Sequence, residues 1–195
     1  MFQKAIPTVF VLMLLGAAPV FAGSNITLNL HPPVQDVLRG NLASVTVEIF
    51  GLTDQAAPSL GAYDVNLEFD ATLLSFNSIV FGDQLALAGP GSSTTGYDFS
   101  SPGLVNVFEV SLVPTSVLDR TQSGSFDLFT LTFNTLDMGK SPLDLSIITL
   151  ADADGVCLTG VDYDGSINII PAPGAMLLGV MGLGLINRLR RRRMI

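Results

Sequence analysis

Four aspartates occur in two copies of one short pattern. Of all the residue spacings in the chain, theirs points most clearly to a chemical role, the binding of a metal ion. They are Asp152, Asp154, Asp162 and Asp164, and a glycine follows each pair. An Asp-x-Asp-Gly segment places two carboxylates on one side of a tight turn, and Ca²⁺ prefers carboxylate oxygens as ligands. Neither segment has the other ligands of a complete EF-hand loop, and Asp-Gly is also a common hairpin turn. Two ordinary turns are the favoured interpretation, with calcium as the alternative and no other cofactor expected.

The residues required for common catalytic arrangements are scarce. The chain has one histidine, His31, which precedes two prolines, and one cysteine, Cys157. Nucleophilic catalysis needs a nucleophile with an adjacent base, and no such pair is evident in the sequence. Acidic residues are abundant, so a small glycoside hydrolase with two carboxylates is the less favoured alternative. We predict that the protein is not an enzyme.

The charges are distributed unevenly along the chain. All 17 acidic residues lie between residues 23 and 170, where Arg39, Arg120 and Lys140 are the only cations, which leaves a net charge of −14 for that part. A surface this acidic repels the phosphates of nucleic acids, so we expect no nucleic-acid partner. A single cysteine excludes an intramolecular disulfide. Because Val156 and Leu158 flank Cys157, we expect its side chain to be buried.

The two ends of the chain have the composition of targeting segments. Residues 1–22 combine Lys4, an apolar run and small residues before Ala22, which predicts a signal peptide cleaved by signal peptidase after Ala22. Residues 171–195 contain Pro171, Ala172 and Pro173, then an apolar core, Ala175 to Ile186, of about 18 Å as a helix. The arginines that follow are expected to hold that end on the cytoplasmic side of the membrane: Arg188, Arg190, Arg191, Arg192 and Arg193.

The chain between the ends, residues 23–170, has the pattern of short strands separated by turns. Apolar residues alternate with polar ones in several segments, among them residues 25–30, 45–49, 63–69, 104–112 and 143–147. Leu73 to Phe81 has apolar residues at both odd and even positions, which predicts a strand covered on both sides. Residues 116–122 predict a turn or one helical turn. In the strand around Leu128 and Phe129 the apolar phase slips by one residue, which predicts a β-bulge.

A long irregular segment is predicted from Gly82 to Gly103, rich in glycine and serine at its middle. Tyr97 and Phe99 at its end are candidates for stacking on a ligand, or they return the chain to the core. With about nine strands and no long helix between the ends, the fold class is all-β, a jelly-roll β-sandwich. A barrel is the lesser alternative.

The carboxyl-terminal segment resembles the PEP-CTERM sorting signal of Gram-negative bacteria. The resemblance rests on Pro171-Ala172-Pro173, the short Leu- and Gly-rich span and the Arg-rich end, with Ala172 where that family usually has Glu. It implies anchoring in the inner membrane by a short transmembrane helix. Recognition and removal of the segment by an exosortase would follow, with release to the cell surface or extracellular matrix.

The central part resembles a cohesin domain, within the larger group of carbohydrate-binding-module-like sandwiches. The resemblance is carried by residues 61–76, GAYDVNLEFDATLLSF, and 124–133, GSFDLFTLTF. It implies a jelly roll of nine strands and a non-catalytic binding role. Cohesins bind dockerins, and relatives bind polysaccharide.

Three hypotheses about function follow from the sequence. The first is an exported, non-catalytic module that binds extracellular polysaccharide or a surface protein. The second is a structural matrix protein without a discrete ligand. The third, less favoured, is a calcium-dependent adhesin or a small hydrolase.

Overall fold

The computed structural model describes residues 26–171 and Gly174, which form two β-sheets and one short helix. The strands in this part of the chain are β1 (Ile26–His31), β2 (Val34–Leu38), β3 (Leu42–Phe50), β4 (Leu60–Phe69), β5 (Leu74–Phe81), β6 (Ser93–Asp98), β7 (Leu104–Ser111), β8 (Phe126–Thr135), β9 (Gly139–Asp152), β10 (Gly160–Tyr163) and β11 (Gly165–Ile170). The helix α1 spans Thr115–Thr121 and confirms the predicted helical turn.

The targeting segments predicted at the two ends lie outside the described residues. They are the signal peptide with its cleavage site after Ala22, and the sorting segment with Ala172, Pro173 and the arginine-rich tail. Among the residues described, no helix is long and apolar enough to cross a membrane.

The two sheets confirm the predicted all-β jelly-roll sandwich. The five-stranded sheet has the order β10-β1-β3-β8-β5, and the six-stranded sheet has the order β2-β11-β9-β4-β7-β6. Neighbouring strands are antiparallel except at one end of each sheet, where β10 runs parallel to β1 and β2 runs parallel to β11. The short strands β2, β6 and β10 were not predicted, because each has few apolar residues in alternation.

Side chains that alternate along the strands fill the space between the sheets. In β3, for example, Ala43, Val45, Val47 and Ile49 are buried, and the residues between them face outward. This period of two follows from the pleat of an extended chain. The largest fully buried side chains include Tyr63, Phe129, Phe133, Leu28, Ile49 and Leu67. The core therefore forms one layer, and each sheet keeps a second, outward face.

The predicted bulge lies in β8, at Leu128. Val47 pairs with Phe129 and Glu48 pairs with Asp127, so Leu128 has no partner residue in β3. Both Leu128 and Phe129 are buried, because the extra residue returns the next side chain to the same face. The phase slip in the sequence is therefore explained.

A second bulge explains an expectation that was wrong. Leu73 to Phe81 was predicted to be covered on both sides, but β5 is an edge strand and Val80 is 67% exposed. Phe76 pairs with Phe133 and Ser78 pairs with Thr132, so Asn77 is the extra residue. The bulge changes the parity within the strand, and apolar residues of both parities face one core.

The segment from Gly82 to Gly103 is also more regular than predicted. Its residues 93–98 form β6, which pairs along β7 from Ser93 opposite Ser111 to Asp98 opposite Asn106. The strand has few apolar side chains because it lies at the edge of its sheet, with one face open to solvent. The rest of the segment is turns, and Ser111 Oγ donates a hydrogen bond to the Leu85 carbonyl oxygen (2.6 Å).

A buried glutamine closes one end of the sandwich. The Gln122 side chain accepts a hydrogen bond from the Leu60 N–H (2.6 Å) and donates to the Leu60 and Gln84 carbonyl oxygens (2.9 and 3.2 Å). An unpaired polar group would be costly there, and these bonds satisfy it. Gln122 follows α1 directly, so the helix fixes the position of this side chain.

Cys157 is exposed, and the expectation that it would be buried was wrong. Of its two flanking residues, Val156 is also exposed, and only Leu158 packs against the core. Cys157 forms only an isolated bridge with Ala151, in the connection between β9 and β10. Apolar neighbours in sequence therefore gave no information on burial, because this connection turns at the surface.

Candidate functional site on the outer faces of the sandwich

Tyr97 and Phe99, the predicted stacking residues, are brought together with a third ring. Phe76 of β5 lies 5.5 Å from Tyr97 and 5.0 Å from Phe99 between ring centroids, and the latter two lie 6.0 Å apart. The cluster spans the gap between the edge strands β5 and β6. Both Tyr97 and Phe99 remain about half exposed. Their packing on Phe76 shows that they help to close the open edge of the sandwich.

An apolar pocket of about 320 Å³ adjoins this aromatic cluster. Its lining includes Phe69, Leu74, Phe76, Phe99 and Leu104. Polar groups are few in this pocket, whereas ligand sites usually combine apolar walls with several directed polar groups. The pocket therefore offers contact area but little means of selecting a ligand.

The outer face of the six-stranded sheet carries an apolar patch, here called the apolar strip. It consists of Phe108 and Val110 in β7, Leu112 just beyond β7, and Ile148 in β9, all exposed. Phe108 and Val110 lie opposite Asp64 and Ala62 in β4, and β4 also pairs with β9. The strip therefore lies on two strands of one sheet face, on either side of β4, and exposed apolar patches commonly mark interaction sites.

A glycine permits the position of the Phe108 ring on this face. Gly96 in β6 lies directly opposite Phe108 in β7. A Cβ atom at Gly96 would collide with the Phe108 ring, so the ring lies over the glycine backbone. The absence of a side chain at Gly96 therefore lets the ring lie close to the sheet.

Beside the apolar strip the same face becomes polar through one amide network. Asn106 Nδ2 donates to Asp64 Oδ1 (2.6 Å) and to Asn66 Oδ1 (2.9 Å). This network ties β7 to β4. It also orients the acidic side chain of Asp64 next to the apolar strip, so the surface combines apolar contact with fixed polar groups.

A buried carboxyl group lies beneath the apolar strip. Glu109 in β7 is 1% exposed and points into the sandwich, between the outward-facing residues Phe108 and Val110. The Tyr63 hydroxyl donates a hydrogen bond to Glu109 Oε2 (3.1 Å), and Oε1 has no hydrogen-bond partner among the described residues. Burial raises the pKa of the Glu109 carboxyl, and hydrogen bonds oppose this rise only in part. Burial, reinforced by the nearby carboxyl, also raises the pKa of the Tyr63 hydroxyl.

The outer face of the five-stranded sheet differs, because hydroxyl and amide side chains dominate it. Thr46 Oγ1 and Thr130 Oγ1 lie 2.8 Å apart, and Ser44 Oγ and Thr132 Oγ1 lie 3.3 Å apart. These cross-strand pairs link β3 to β8. Hydroxyl pairs of this kind stabilise a sheet while leaving a polar surface.

At the β10 end of this face lies a shallow recess of about 450 Å³, here called the aromatic cleft. Its lining includes six polar or aromatic side chains: Asn29, His31, Glu48, Phe50, Tyr163 and Asp164. Sequence reasoning did not single out Phe50 or Glu48 and treated Tyr163 only as one of three tyrosines, because the recess is formed by residues of three different strands, β1, β3 and β10. No local pattern in the sequence indicates their proximity.

The four aspartates of the two Asp-Gly patterns lie in two turns. Asp152 Oδ1 accepts hydrogen bonds from the backbone N–H groups of Asp154 (3.0 Å) and Val156 (2.8 Å), and Asp164 Oδ1 accepts one from the Leu145 N–H (3.0 Å). Asp154 Oδ1 accepts one from the Thr115 hydroxyl (3.1 Å). Within residues 26–171, no group of three or more acidic, histidine or cysteine side chains is arranged to hold a metal ion.

These features define an all-β, two-sheet domain whose distinctive chemistry lies on its outer faces. No protein-family model matches the sequence, and no curated protein matches it. Solved structures of cohesins do match the fold. A cohesin of the OlpA–Doc918 cohesin–dockerin complex of Clostridium thermocellum has a TM-score of 0.61 at 18% identity, over 75% of this chain and 99% of that chain.

Two further structures agree with this match. The sixth cohesin of Acetivibrio cellulolyticus scaffoldin B, in complex with a Cel5 dockerin, has a TM-score of 0.60 at 19% identity and covers 75% of this chain and 99% of its own. A non-cellulosomal cohesin of the archaeon Archaeoglobus fulgidus has a TM-score of 0.58 at 18% identity, and the match covers 78% of this chain and 96% of that one. The chain therefore has the cohesin jelly-roll fold, as the sequence resemblance implied.

Proposed function

We propose that this chain is an exported, non-catalytic binding module that captures a protein partner on the outer face of its six-stranded sheet. The observation that carries the proposal is the apolar strip, Phe108, Val110, Leu112 and Ile148, exposed on a sheet face next to the Asp64–Asn106 network. Aromatic and aliphatic anchors surrounded by oriented polar groups are typical of protein interfaces. Two of the cohesins with this fold were solved in complexes with dockerins.

Site-directed photo-crosslinking tests this surface. A photoreactive amino acid replaces Val110 in the full-length chain in its native host, and crosslinked products are identified by mass spectrometry. The matched control carries the same group at Val80, an exposed valine on the opposite sheet. A partner trapped from position 110 alone supports the proposal. Equal products from both positions, or none from position 110, would favour the structural matrix protein without a discrete ligand.

Polysaccharide is the second class of ligand, and the aromatic cleft is the observation that favours it. Exposed rings beside hydrogen-bonding side chains are suited to sugars, and this surface lies on the sheet opposite to the apolar strip. A module with two usable faces would connect a protein partner to an extracellular matrix. Binding of purified oligosaccharides, with protein capture measured separately, tests this second part.

The route to the surface is part of the same proposal. The signal peptide at 1–22 and the Pro171-Ala172-Pro173 segment with its arginine-rich end support export, temporary anchoring in the inner membrane and removal of the tail by an exosortase. The mature protein would then reach the cell surface or the extracellular matrix. Mass spectrometry of the protein recovered from the cell surface tests this route, since an intact Arg193 would contradict processing.

A further inference from the structure

The aromatic cleft brings together side chains from three strands that are distant in sequence. Asn29 in β1 lies opposite Tyr163 in β10 on one side and opposite Glu48 in β3 on the other. Phe50 lies one step further along the outward face of β3, and His31 lies one step along β1 in the other direction. Two interstrand spacings make this row about 10 Å wide, so a ligand on it would lie across the sheet.

Most polar side chains of the cleft are not used to hold the fold; the exception is Asp164, whose Oδ1 accepts a hydrogen bond from the Leu145 N–H. Within residues 26–171, the side chains of Glu48, His31 and Tyr163 make no hydrogen bond, and the Asn29 amide makes only a long contact of 3.4 Å to Thr27 Oγ1. Elsewhere on the same face, the Thr46 and Thr130 hydroxyls are paired at 2.8 Å. The cleft therefore places unpaired polar side chains beside its two exposed rings.

The chemistry of these groups matches a sugar ring. A pyranose has a face of C–H groups, which packs on the electron-rich face of an aromatic ring, and a rim of hydroxyls, each both donor and acceptor. The Asn29 amide donates and accepts, the Glu48 carboxylate accepts, and the Tyr163 hydroxyl does both. A volume of about 450 Å³ lies within the range of small-ligand sites.

The charge of the cleft restricts which sugars fit. Glu48 and Asp164 line it, and no lysine or arginine does. Residues 23–170 carry a net charge of −14, so the surroundings repel anionic ligands. Uronic-acid chains are therefore disfavoured, whereas uncharged hexose chains are not. A peptide is less suitable than a sugar, because the exposed rings are separated by polar groups rather than joined into an apolar surface.

From this arrangement we infer that the aromatic cleft is a subsite for an uncharged polysaccharide, with Tyr163 and Phe50 as stacking platforms and Asn29 and Glu48 as hydroxyl ligands. The inference rests on the polysaccharide part of the proposed function and adds to it the roles of the individual residues and the class of sugar. It replaces Tyr97 and Phe99 as the candidate stacking residues, because their rings already pack on Phe76.

Calorimetric titration of the full-length chain tests this subsite. The protein is kept in a detergent without a sugar headgroup, and the probes are cellohexaose, mannohexaose, chitohexaose and, as the anionic probe, hexagalacturonate. We expect binding of at least one uncharged probe and no measurable binding of hexagalacturonate. Tyr163→Ala and Phe50→Ala should each weaken binding by about tenfold or more, as for aromatic anchors of other sites.

Two control variants make the outcomes distinguishable. Tyr97→Ala and Phe99→Ala remove rings of similar exposure, 46% and 55% against 55% for Tyr163, and should change affinity by no more than roughly twofold. If instead these variants abolish binding and Tyr163→Ala does not, the cleft assignment is wrong although the polysaccharide function stands. If the wild-type chain binds none of the four probes, both the cleft assignment and the polysaccharide function are wrong. A preference for hexagalacturonate would also overturn the assignment.

Discussion

The two outer faces of this sandwich are built from the same kind of strand, yet they offer different chemistry. The six-stranded sheet presents the apolar strip of Phe108, Val110, Leu112 and Ile148. On the five-stranded sheet, paired hydroxyls such as Thr46 and Thr130 lead to the aromatic cleft. Inward residues of both sheets are constrained by the common core, whereas outward residues are not. The difference shows that the fold leaves each face free to carry its own surface chemistry.

The faces also differ in what lies beneath them. Under the apolar strip, the carboxyl of Glu109 is buried against the Tyr63 hydroxyl, and one of its oxygens has no partner among the described residues. The inward residues of β3, under the other face, are Ala43, Val45, Val47 and Ile49. We therefore expect the free energy of unfolding to depend on pH through the carboxyl group beneath the apolar strip.

The largest effect is expected from a charge placed in the apolar strip. Val110→Asp should weaken capture of the crosslinked protein partner by about 100-fold or more, because an unpaired carboxylate would be desolvated in the interface. Val80→Asp, on the opposite sheet, should leave that affinity nearly unchanged. Neither variant should alter the titration with uncharged oligosaccharides. Measured dissociation constants for both ligands check this, and a parallel loss of both would show that the faces are not independent.

The pH dependence of stability should be traceable to Glu109. Its pKa is higher in the folded chain than the ordinary value of 4.5. As pH rises through that ordinary value, the unfolded chain releases the proton first, so the free energy of unfolding falls until the pH passes the folded pKa. Glu109→Gln, which resembles the protonated acid, should remove this loss. Thermal unfolding of the wild-type and Glu109→Gln proteins from about pH 4 to about pH 8 measures this loss of stability. Identical profiles for the two proteins would contradict the role given to Glu109.

A smaller effect is expected where Gly96 lies under the Phe108 ring. Gly96→Ala should displace that ring and weaken partner capture by roughly fivefold, since about 1 kcal/mol of contact is lost. The control is the same substitution in a Phe108→Ala background, where it should have little further effect. An equal loss in both backgrounds would mean that Gly96 acts through its own strand rather than through the ring.

The hydroxyl pairs of the five-stranded sheet should contribute modestly to stability. Thr130→Val removes the 2.8 Å bond to Thr46 and should cost about 0.5–1.5 kcal/mol in the free energy of unfolding. Thr132→Val removes the longer contact of 3.3 Å to Ser44 and should cost less. Urea unfolding of the two variants gives this comparison. A larger loss in the free energy of unfolding for Thr132→Val than for Thr130→Val would contradict this prediction.

The smallest effect is expected from calcium. The Asp152 carboxylate already accepts two backbone N–H groups of its own turn, and Asp164 accepts one from Leu145. We therefore expect added calcium to leave the melting temperature unchanged. Differential scanning calorimetry with calcium and with a chelator measures this. A rise with calcium that Asp154→Asn abolishes would instead support the calcium alternative.

Several features of the fold were predictable because they depend on neighbours in sequence. Alternation in β3 and β4, the helical turn at α1 and the bulge at Leu128 follow from period and phase. The edge strands were not predictable in this way. β6 has few apolar residues to mark it, and in β5 the bulge at Asn77 mixed the two parities.

The candidate sites were less predictable than the fold. Tyr97 and Phe99 stand out because they end a glycine-rich segment, but whether Phe76 covers them depends on the packing of two sheet edges. Phe50 and Tyr163 belong to strands far apart in the chain, and β1 brings them to one cleft. No local pattern marks such a pair.

The sequence by itself determined the all-β class, the alternation that makes one core and the acidity of the central part, and it predicts a route of export. These depend on composition and on spacing along the chain, which local geometry translates directly into structure. Only the tertiary structure decided which outward residues become neighbours. Strand order and register place Phe108 opposite Gly96 and Asn29 between Tyr163 and Glu48. Those pairings join residues distant in the chain, so the candidate binding surfaces appear only when the sheets form.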